Sequence, residues 1–262
     1  MYKITALRYF IELAYSGTAY HGWQRQPNAL SVQEFIENAL TTLLGETTSI
    51  VGAGRTDTGV HARQMFAHFD LVATITSTND LVYRLNSFLP KDISIHAVHG
   101  VIDSAHARFD AISRSYQYQL IQHKNPFLTD QAYCFTAPLD VAAMNQAAQL
   151  LLNHRNFKCF SRSKTDVKTY DCVVREAYWE AQGSMLVFHI TADRFLRNMV
   201  RAIVGTLLDV GVGKSSIGAV QHILDSQDRT TAGSSAPAHG LFLTNISYPN
   251  TIFDLDGTQN KK

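Results

Sequence analysis

Along residues 7–15 (LRYFIELAY) aromatic and aliphatic residues alternate roughly with polar ones, and Ser16-Gly17 ends the run as a turn, which predicts a strand. Ser31 followed three residues later by Glu34 forms a capping box. Behind it Val32, Phe35, Ile36, Ala39, Leu40 and Leu43 recur at helical spacing until Gly45 stops the helix. Residues 48–52 and 65–72 read as strands. Leu81, Val82, Leu85, Phe88 and Leu89 mark a second helix halted by Pro90, and residues 93–101 close the unit as a strand. The order is β-α-β-β-α-β, the ferredoxin-like pattern.

The second half repeats that order with one extra helix. Residues 114–122 alternate as a strand, and Asp140 caps a helix carrying Val141, Met144, Ala147, Ala148 and Leu151. Residues 173–181 and 185–191 flank Gln182-Gly183-Ser184, a hairpin turn. Leu196, Met199, Val200, Ile203, Val204, Leu207 and Leu208 form an unbroken helical stripe. A further helix follows Ser216, and residues 241–248 make the last strand. The expected class is α+β with two ferredoxin-like lobes, residues 1–105 and 106–250, and a polar tail at 251–262. Element order is the whole basis for the repeat, since the halves share little residue identity.

The repeat singles out one stretch. The second half joins its middle strands by a tight turn, whereas the first half uses all of residues 53–64. Hairpin loops usually run to about two to five residues, and longer ones are typically functional or disordered. Gly52, Gly54 and Gly59 permit unusual backbone angles and close approach of a partner. We read this as a working loop.

Composition narrows the setting. The 262 residues are 45% hydrophobic and 17% charged, as in ordinary globular chains. No apolar run is long enough to span a bilayer and the first ten residues lack a secretion-signal core, so a cytoplasmic protein without a membrane partner is expected. The net charge is +1, so an RNA partner would have to be held by a local cluster of cations. Cys134, Cys159 and Cys172 are widely spaced without a CxxC pair, which suits free thiols rather than disulfides or structural zinc.

Several motifs fail on spacing. Gly52-x-Gly54 is followed by no helix, which weakens a dinucleotide-binding reading. Gly213-Lys214-Ser215 lacks the first glycine and the preceding strand of a P-loop. Asp57, His61 and His68 do not sit in a metal-ligand frame. Asp57 itself is either a turn former bonding its own backbone or a carboxylate held between cations as nucleophile or base. Arg194, Arg197 and Arg201, spaced i, i+3, i+7, are expected along one helical face beside the apolar stripe, with Gly205 one turn on allowing close packing. They are placed to bind phosphate or to pair with an acid such as Asp57. The loop from Tyr20 to Pro27, with Trp23, Gln24 and Arg25, has the composition of an RNA-contact surface. Trp23 serves equally well as an anchor onto the core. His106, Arg108, Phe109, Arg114 and Tyr116 form a second aromatic-basic cluster.

Taken together, these blocks resemble the tRNA pseudouridine synthase A family. Gly54-Arg55-Thr56-Asp57-x-Gly59-Val60-His61-Ala62 is similar to its catalytic motif. Gly22-Trp23-Gln24-Arg25-Gln26, His106-Ala-Arg108-Phe109, Arg114-x-Tyr116-x-Tyr118, Phe195-Leu196-x-x-Met199-Val200-Arg201 and Gly240-Leu241-x-Leu243 follow in the family's order. The resemblance implies two lobes facing an RNA-binding cleft, a homodimer, no metal or organic cofactor, and conversion of uridine to pseudouridine at positions 38–40 of the tRNA anticodon stem-loop. By motif position Asp57 would be the catalytic aspartate, Arg201 its paired cation and Tyr116 the active-site tyrosine. Arg55 would contact the RNA, and Gln24, Arg25, His61, Arg108, Arg114 and Arg197 complete the expected RNA-binding set. Thr58 stands where the family commonly has alanine, and Gln64-Met65 replaces a usual Gly-Gln. A tRNA-binding module without catalysis and a nucleotide-binding enzyme using the glycine loop are the competing readings.

Overall fold

The alternating run at the start of the chain becomes β1 (Leu7–Tyr15), the middle strand of the first unit. The computed structural model describes residues 7–162 and 167–253. The chain divides into two units, Met1–Ile112 with Thr244–Lys262, and Ser113–Leu243. In the first, the Ser31 side chain accepts the Glu34 amide and starts α1 (Val32–Leu44). Gly45, left-handed at φ 74°, ends it by donating to the Thr41 carbonyl. Then come β2 (Val51–Gly52), β3 (His61–Leu71), α2 (Thr78–Phe88) and β4 (Ile93–Gly100).

The sheet runs β4-β1-β3 with β2 on β3, and every pair is antiparallel. Each helix therefore links two strands separated by a third, the split arrangement of a ferredoxin-like unit. Consecutive residues Phe10 and Ile11 are fully buried, so both faces of β1 are covered. The rings of Tyr248 and Phe253 meet Phe10 edge-on at 5.3 and 5.9 Å.

Two boundaries differ from the sequence pattern. The strand expected over residues 48–52 is only Val51–Gly52, and β3 begins at His61 rather than 65, so the working loop is residues 53–60. Arg63 and Gln64 break the apolar pattern, yet the backbone keeps pairing with β1 as far as Tyr15 and Ala62. Gln64 is satisfied within the unit: its Nε2 donates to Glu12 Oε1 at 2.7 Å and its Oε1 accepts the Ile246 amide at 2.8 Å. Met65 beside it is fully buried. The departure at Gln64-Met65 is thus taken up by the sheet.

The second unit contains β5 (Ser113–Ile121), β6 (Tyr133–Cys134), α3 (Val141–Gln149), β7 (Val174–Gln182), β8 (Met185–Ala192), α4 (Met199–Gly211) and α5 (Ile217–Ser226). β9 (Leu241–Ser247) begins here, and its residues from Thr244 belong to the first unit. The order is β9-β5-β8-β7, with β6 as a short parallel partner of β5 that the pattern did not reveal. Asp140 and Ser216 cap α3 and α5 as expected, and Gly183 turns the β7–β8 hairpin at φ 61°.

Every residue of α4 except Arg201 and Asp209 is buried, so it is the central helix of this unit. It starts at Met199, because Asn198 takes a left-handed φ of 65° that breaks the helix path. The expectation of Arg194, Arg197 and Arg201 on one helical face is therefore corrected: only Arg201 lies on α4. Asp193 holds the preceding turn, its Oδ1 accepting the amides of Val173 and Arg194 at 2.7 Å each. No helix among the described residues is long and apolar enough to cross a membrane.

Candidate functional site

The loop of residues 53–60 is pinned along its length. Ala53 donates to the Phe66 carbonyl at 2.8 Å, the Thr56 carbonyl accepts the Trp23 amide, and Gly59 donates to the Tyr20 carbonyl. Inside, the Tyr15 hydroxyl and Thr56 Oγ1 share a buried hydrogen bond of 2.8 Å. The Asp57 carbonyl accepts the Val60 amide at 3.1 Å, and Gly59 supplies φ 77° at the third position, as a type II turn requires. The main chain of Asp57 closes this turn. Asp57 is half-buried between exposed Arg55 and exposed Thr58.

Close packing by glycines sets the position of the loop. A Cβ on Gly17 would lie 2.1 Å from the Val60 carbonyl oxygen, and one on Gly22 would lie 2.4 Å from that of Thr56. Trp23 is 1% exposed and sits against Gly52, so of its two readings the structure selects the anchor. Gln24 and Arg25 emerge beside it. Arg55 Nε donates to Gln24 Oε1 at 3.0 Å, and Gln24 Nε2 donates to Gln33 Oε1 at 2.8 Å. Gln33 Nε2 in turn donates to Glu37 Oε1 and to the Ile50 carbonyl, each at 3.0 Å. A chain of amides therefore connects the arginine of the loop to the buried face of α1. Gln33 and Glu37 stand out in the sequence only as polar residues on an apolar helix face. Arg25 pairs with Glu37 at 3.4 Å and Glu34 at 3.7 Å.

His61 is 2% exposed and its Nδ1 accepts the Gly17 amide at 3.1 Å. That places the ring inside the fold as a support for the loop. Arg108 lies in a separate exposed turn of the same unit. There His106 Nδ1 accepts the amides of Arg108 and Phe109, and Asp110 accepts that of His106. His106 stacks edge-on against buried His68 at 4.5 Å. Burial, then the nearby Arg8 guanidinium, lower both imidazoles, His68 to about 4.

Tyr116 and Arg201 belong to the second unit. Tyr116 on β5 meets Phe195 edge-on at 5.1 Å, and Arg114 Nη1 donates to the Asp193 carbonyl at 2.8 Å. The turn of residues 193–198 thus contacts the half-buried start of β5 twice. Arg201 Nε donates to the Ala236 carbonyl at 2.7 Å while Ala236 donates back to the Arg201 carbonyl at 2.9 Å. The buried Tyr118 hydroxyl donates to the next carbonyl, Pro237, at 2.9 Å. Residues 232–237 therefore run as a strap along α4, and Gly205 lets it approach: a Cβ there would sit 1.7 Å from the Ser234 oxygen. Arg197 is exposed, and its carbonyl accepts the Arg162 amide at 3.0 Å. Phe195 could have been inferred from its motif block, whereas nothing local in the sequence marks the strap.

Among the described residues no group of three or more His, Cys, Asp or Glu could hold a metal ion. The first unit thus offers a half-buried carboxylate and an arginine on one rigid loop. The second offers a phenol and a guanidinium, each held by its surroundings.

A family model described as tRNA pseudouridine synthase matches residues 13–110 and 147–249. The chain is 53% identical to the tRNA pseudouridine synthase A of Porphyromonas gingivalis over 249 residues, 94% of this chain and 99% of that one. It is 50% identical to that of Bacteroides fragilis, covering 94% and 98%. Similarity persists at 38% identity with the Bacillus licheniformis protein of the same name, covering 91% and 98%.

Proposed function

The chain belongs to the tRNA pseudouridine synthase family, and on that premise we propose that it isomerises uridine to pseudouridine at positions 38–40 of the tRNA anticodon stem-loop. The observation that carries the site assignment is Asp57, set on a turn pinned on both sides and adjoining Arg55 (roles taken from motif position). The reaction is redox-neutral. The Asp57 carboxylate adds to C1′ of the ribose or C6 of the uracil, and the C1′–N1 bond breaks. The base turns, C5 bonds to C1′ as the carboxylate is released, and the C5 proton is lost while N1 takes one up, so the product is an isomer of uridine.

A uridine paired within a stem must first be flipped, at a cost of roughly a few kcal/mol. Arg55 offsets part of that by filling the gap or holding phosphate, with Gln24 fixing its guanidinium. In this reading Tyr116 stacks on the uracil and assists loss of the C5 proton, and Arg201, the paired cation by motif position, stabilises the charged form of the catalytic aspartate. Arg25, Arg108, Arg114 and Arg197 contact the RNA backbone. His61, being buried, acts by holding the loop. The family resemblance alone supports a cytoplasmic homodimer without metal or organic cofactor, and sedimentation at a monomer mass would overturn the dimer.

The test is Asp57→Ala, assayed by mapping pseudouridine in unmodified tRNA. No product with tRNA binding retained is expected. Robust turnover by the variant would overturn the assignment of Asp57, and tRNA binding without product in the unaltered protein would make it a binding module.

A further inference from the structure

Glu37 is a buried acid that the reaction above leaves without a task. It is 8% exposed and lies on α1 beside Ile36, Ala39 and Leu40, all fully buried. A buried carboxylate is weak evidence of a stabilising role, since desolvation offsets the attraction of its partners. What sets this one apart is the pair of arms that leave it.

The first arm starts at Oε2, which meets Arg25 Nη1 at 3.4 Å, while Glu34 Oε1 lies 3.7 Å from Nη2. The main chain of Arg25 is held as well, its amide donating to Gln33 Oε1 at 3.1 Å. The Arg25 side chain keeps 57% of its surface exposed, so a ligand can still reach it. The second arm starts at Oε1, which accepts Gln33 Nε2 at 3.0 Å and the Ile50 amide at 3.1 Å. It continues from Gln33 through Gln24 to Arg55 Nε. Ile50 directly precedes β2, which leads into the working loop.

The sense of every bond in the second arm is fixed. The Arg25 amide can only donate and the Ile50 carbonyl can only accept, so Gln33 turns Oε1 to the first and Nε2 to the second. Oε1 also takes Gln24 Nε2, which leaves Gln24 Oε1 for the guanidinium of Arg55. At position 37 one oxygen faces Gln33 Nε2 and the Ile50 amide, and the other faces Arg25, all of them donors. Only a carboxylate accepts on both sides.

We propose that Glu37 is a positioning residue for RNA binding, its two oxygens setting Arg25 and Arg55 in one fixed arrangement. A guanidinium so restrained loses less freedom when it meets a phosphate or a flipped nucleotide. The inference rests on those two arginines contacting tRNA.

Glu37→Gln and Glu37→Ala separate the arms. The amide substitute keeps an oxygen for Gln33 and Ile50 but turns a donor on Arg25, so the first arm alone is lost. Alanine loses both. The experiment measures tRNA affinity, melting temperature and pseudouridine kinetics in the full-length protein, for each variant alone and combined with Arg25→Gln. Glu37→Gln should melt within about 4 °C of the original protein. Its Kd and KM for tRNA should rise about fivefold with kcat kept. Glu37→Ala should add a fall in kcat of about fivefold, since Arg55 adjoins Asp57. The decisive variant joins Glu37→Gln to Arg25→Gln. Its KM should match that of Arg25→Gln alone, as an effect passing through one side chain requires. Losses that multiply in this double variant would overturn the inference. So would unchanged Kd and KM or tighter tRNA binding in Glu37→Gln, or an unaltered kcat in a folded Glu37→Ala. If Glu37→Ala melts early, Glu37→Gln and the double variant decide by themselves. Normal binding and turnover in both Arg25→Gln and Arg55→Gln would show instead that neither arginine contacts RNA, and the inference would fall with that contact. An unaltered protein that binds tRNA but forms no pseudouridine would defeat the proposed reaction, while Kd in the same variants would still read the coupling.

Discussion

Arg55 is tied to Gln24, its Nε donating to Oε1 across 3.0 Å, and that amide rests on Gln33 of α1. The charged residue adjoining Asp57 is therefore held by the first helix of its own unit, not only by its loop. Preorganisation of this kind matters most where a long side chain must meet a flipped nucleotide. Gln24→Met keeps the volume and removes both hydrogen bonds. We expect kcat/KM for tRNA to fall about fivefold, the equivalent of about 1 kcal/mol. Melting should move by no more than about 4 °C. Steady-state kinetics and a melting curve decide it, and unchanged kinetics would remove the relay from the mechanism.

Two glycines near the loop should behave oppositely. Gly22 has φ 95° and a Cβ would lie 2.4 Å from the Thr56 oxygen, whereas a Cβ on Gly54 would meet nothing within 4 Å. Gly22→Ala should cost about 3 kcal/mol and abolish most activity, since it pushes the backbone next to Asp57. Gly54→Ala should melt within about 2 °C of the original protein. Lost turnover in a fully folded Gly54→Ala would mean that the RNA approaches the loop backbone there. A destabilised Gly54→Ala would contradict the open space the structure gives it.

Gly205 faces the Ser234 carbonyl with no room for a methyl group, at 1.7 Å. Both partners of the clash are main chain, one in a buried helix. Gly205→Ala should lose about 4 kcal/mol or fail to accumulate. Because Ala236 bonds Arg201 twice, any variant that folds should lose activity as well. Urea unfolding with an activity assay tests both, and a stable, active variant would show that the strap is not what holds Arg201.

His68 couples stability to pH. Burial and Arg8 lower its imidazole to about 4, His106 adds to the lowering, and Asp70 and Asp110 oppose it. The unfolded value is about 6.5. Between those pH values the unfolded chain holds a proton on this residue and the folded chain does not, so stability falls as pH falls from about 6.5 to about 4. The contribution is about 3 kcal/mol in full. His68→Gln, which keeps an acceptor for the Ala107 amide, should flatten the difference in unfolding free energy between pH 7 and pH 5. An identical pH slope in the variant would reject this.

The sequence by itself determined whatever depends on near neighbours. The Ser31, Asp140 and Ser216 caps, the Gly45 stop, the Gly183 hairpin and the β-α-β-β-α-β order follow from side-chain spacing and backbone preference over a few residues. The motif around Asp57 was legible because its residues are contiguous. What only the tertiary structure decided lies in contacts between distant segments. Arg201 bonds a residue 35 positions away and Gln64 bonds one 182 away. Arg197 kept helical spacing with Arg201 and still lies outside the helix, because Asn198 turns left-handed before α4 begins. Trp23 read equally as an RNA contact and as an anchor until its burial against Gly52 was seen. Periodicity records which side chains share a face, and only packing shows which of those faces closes on another part of the chain.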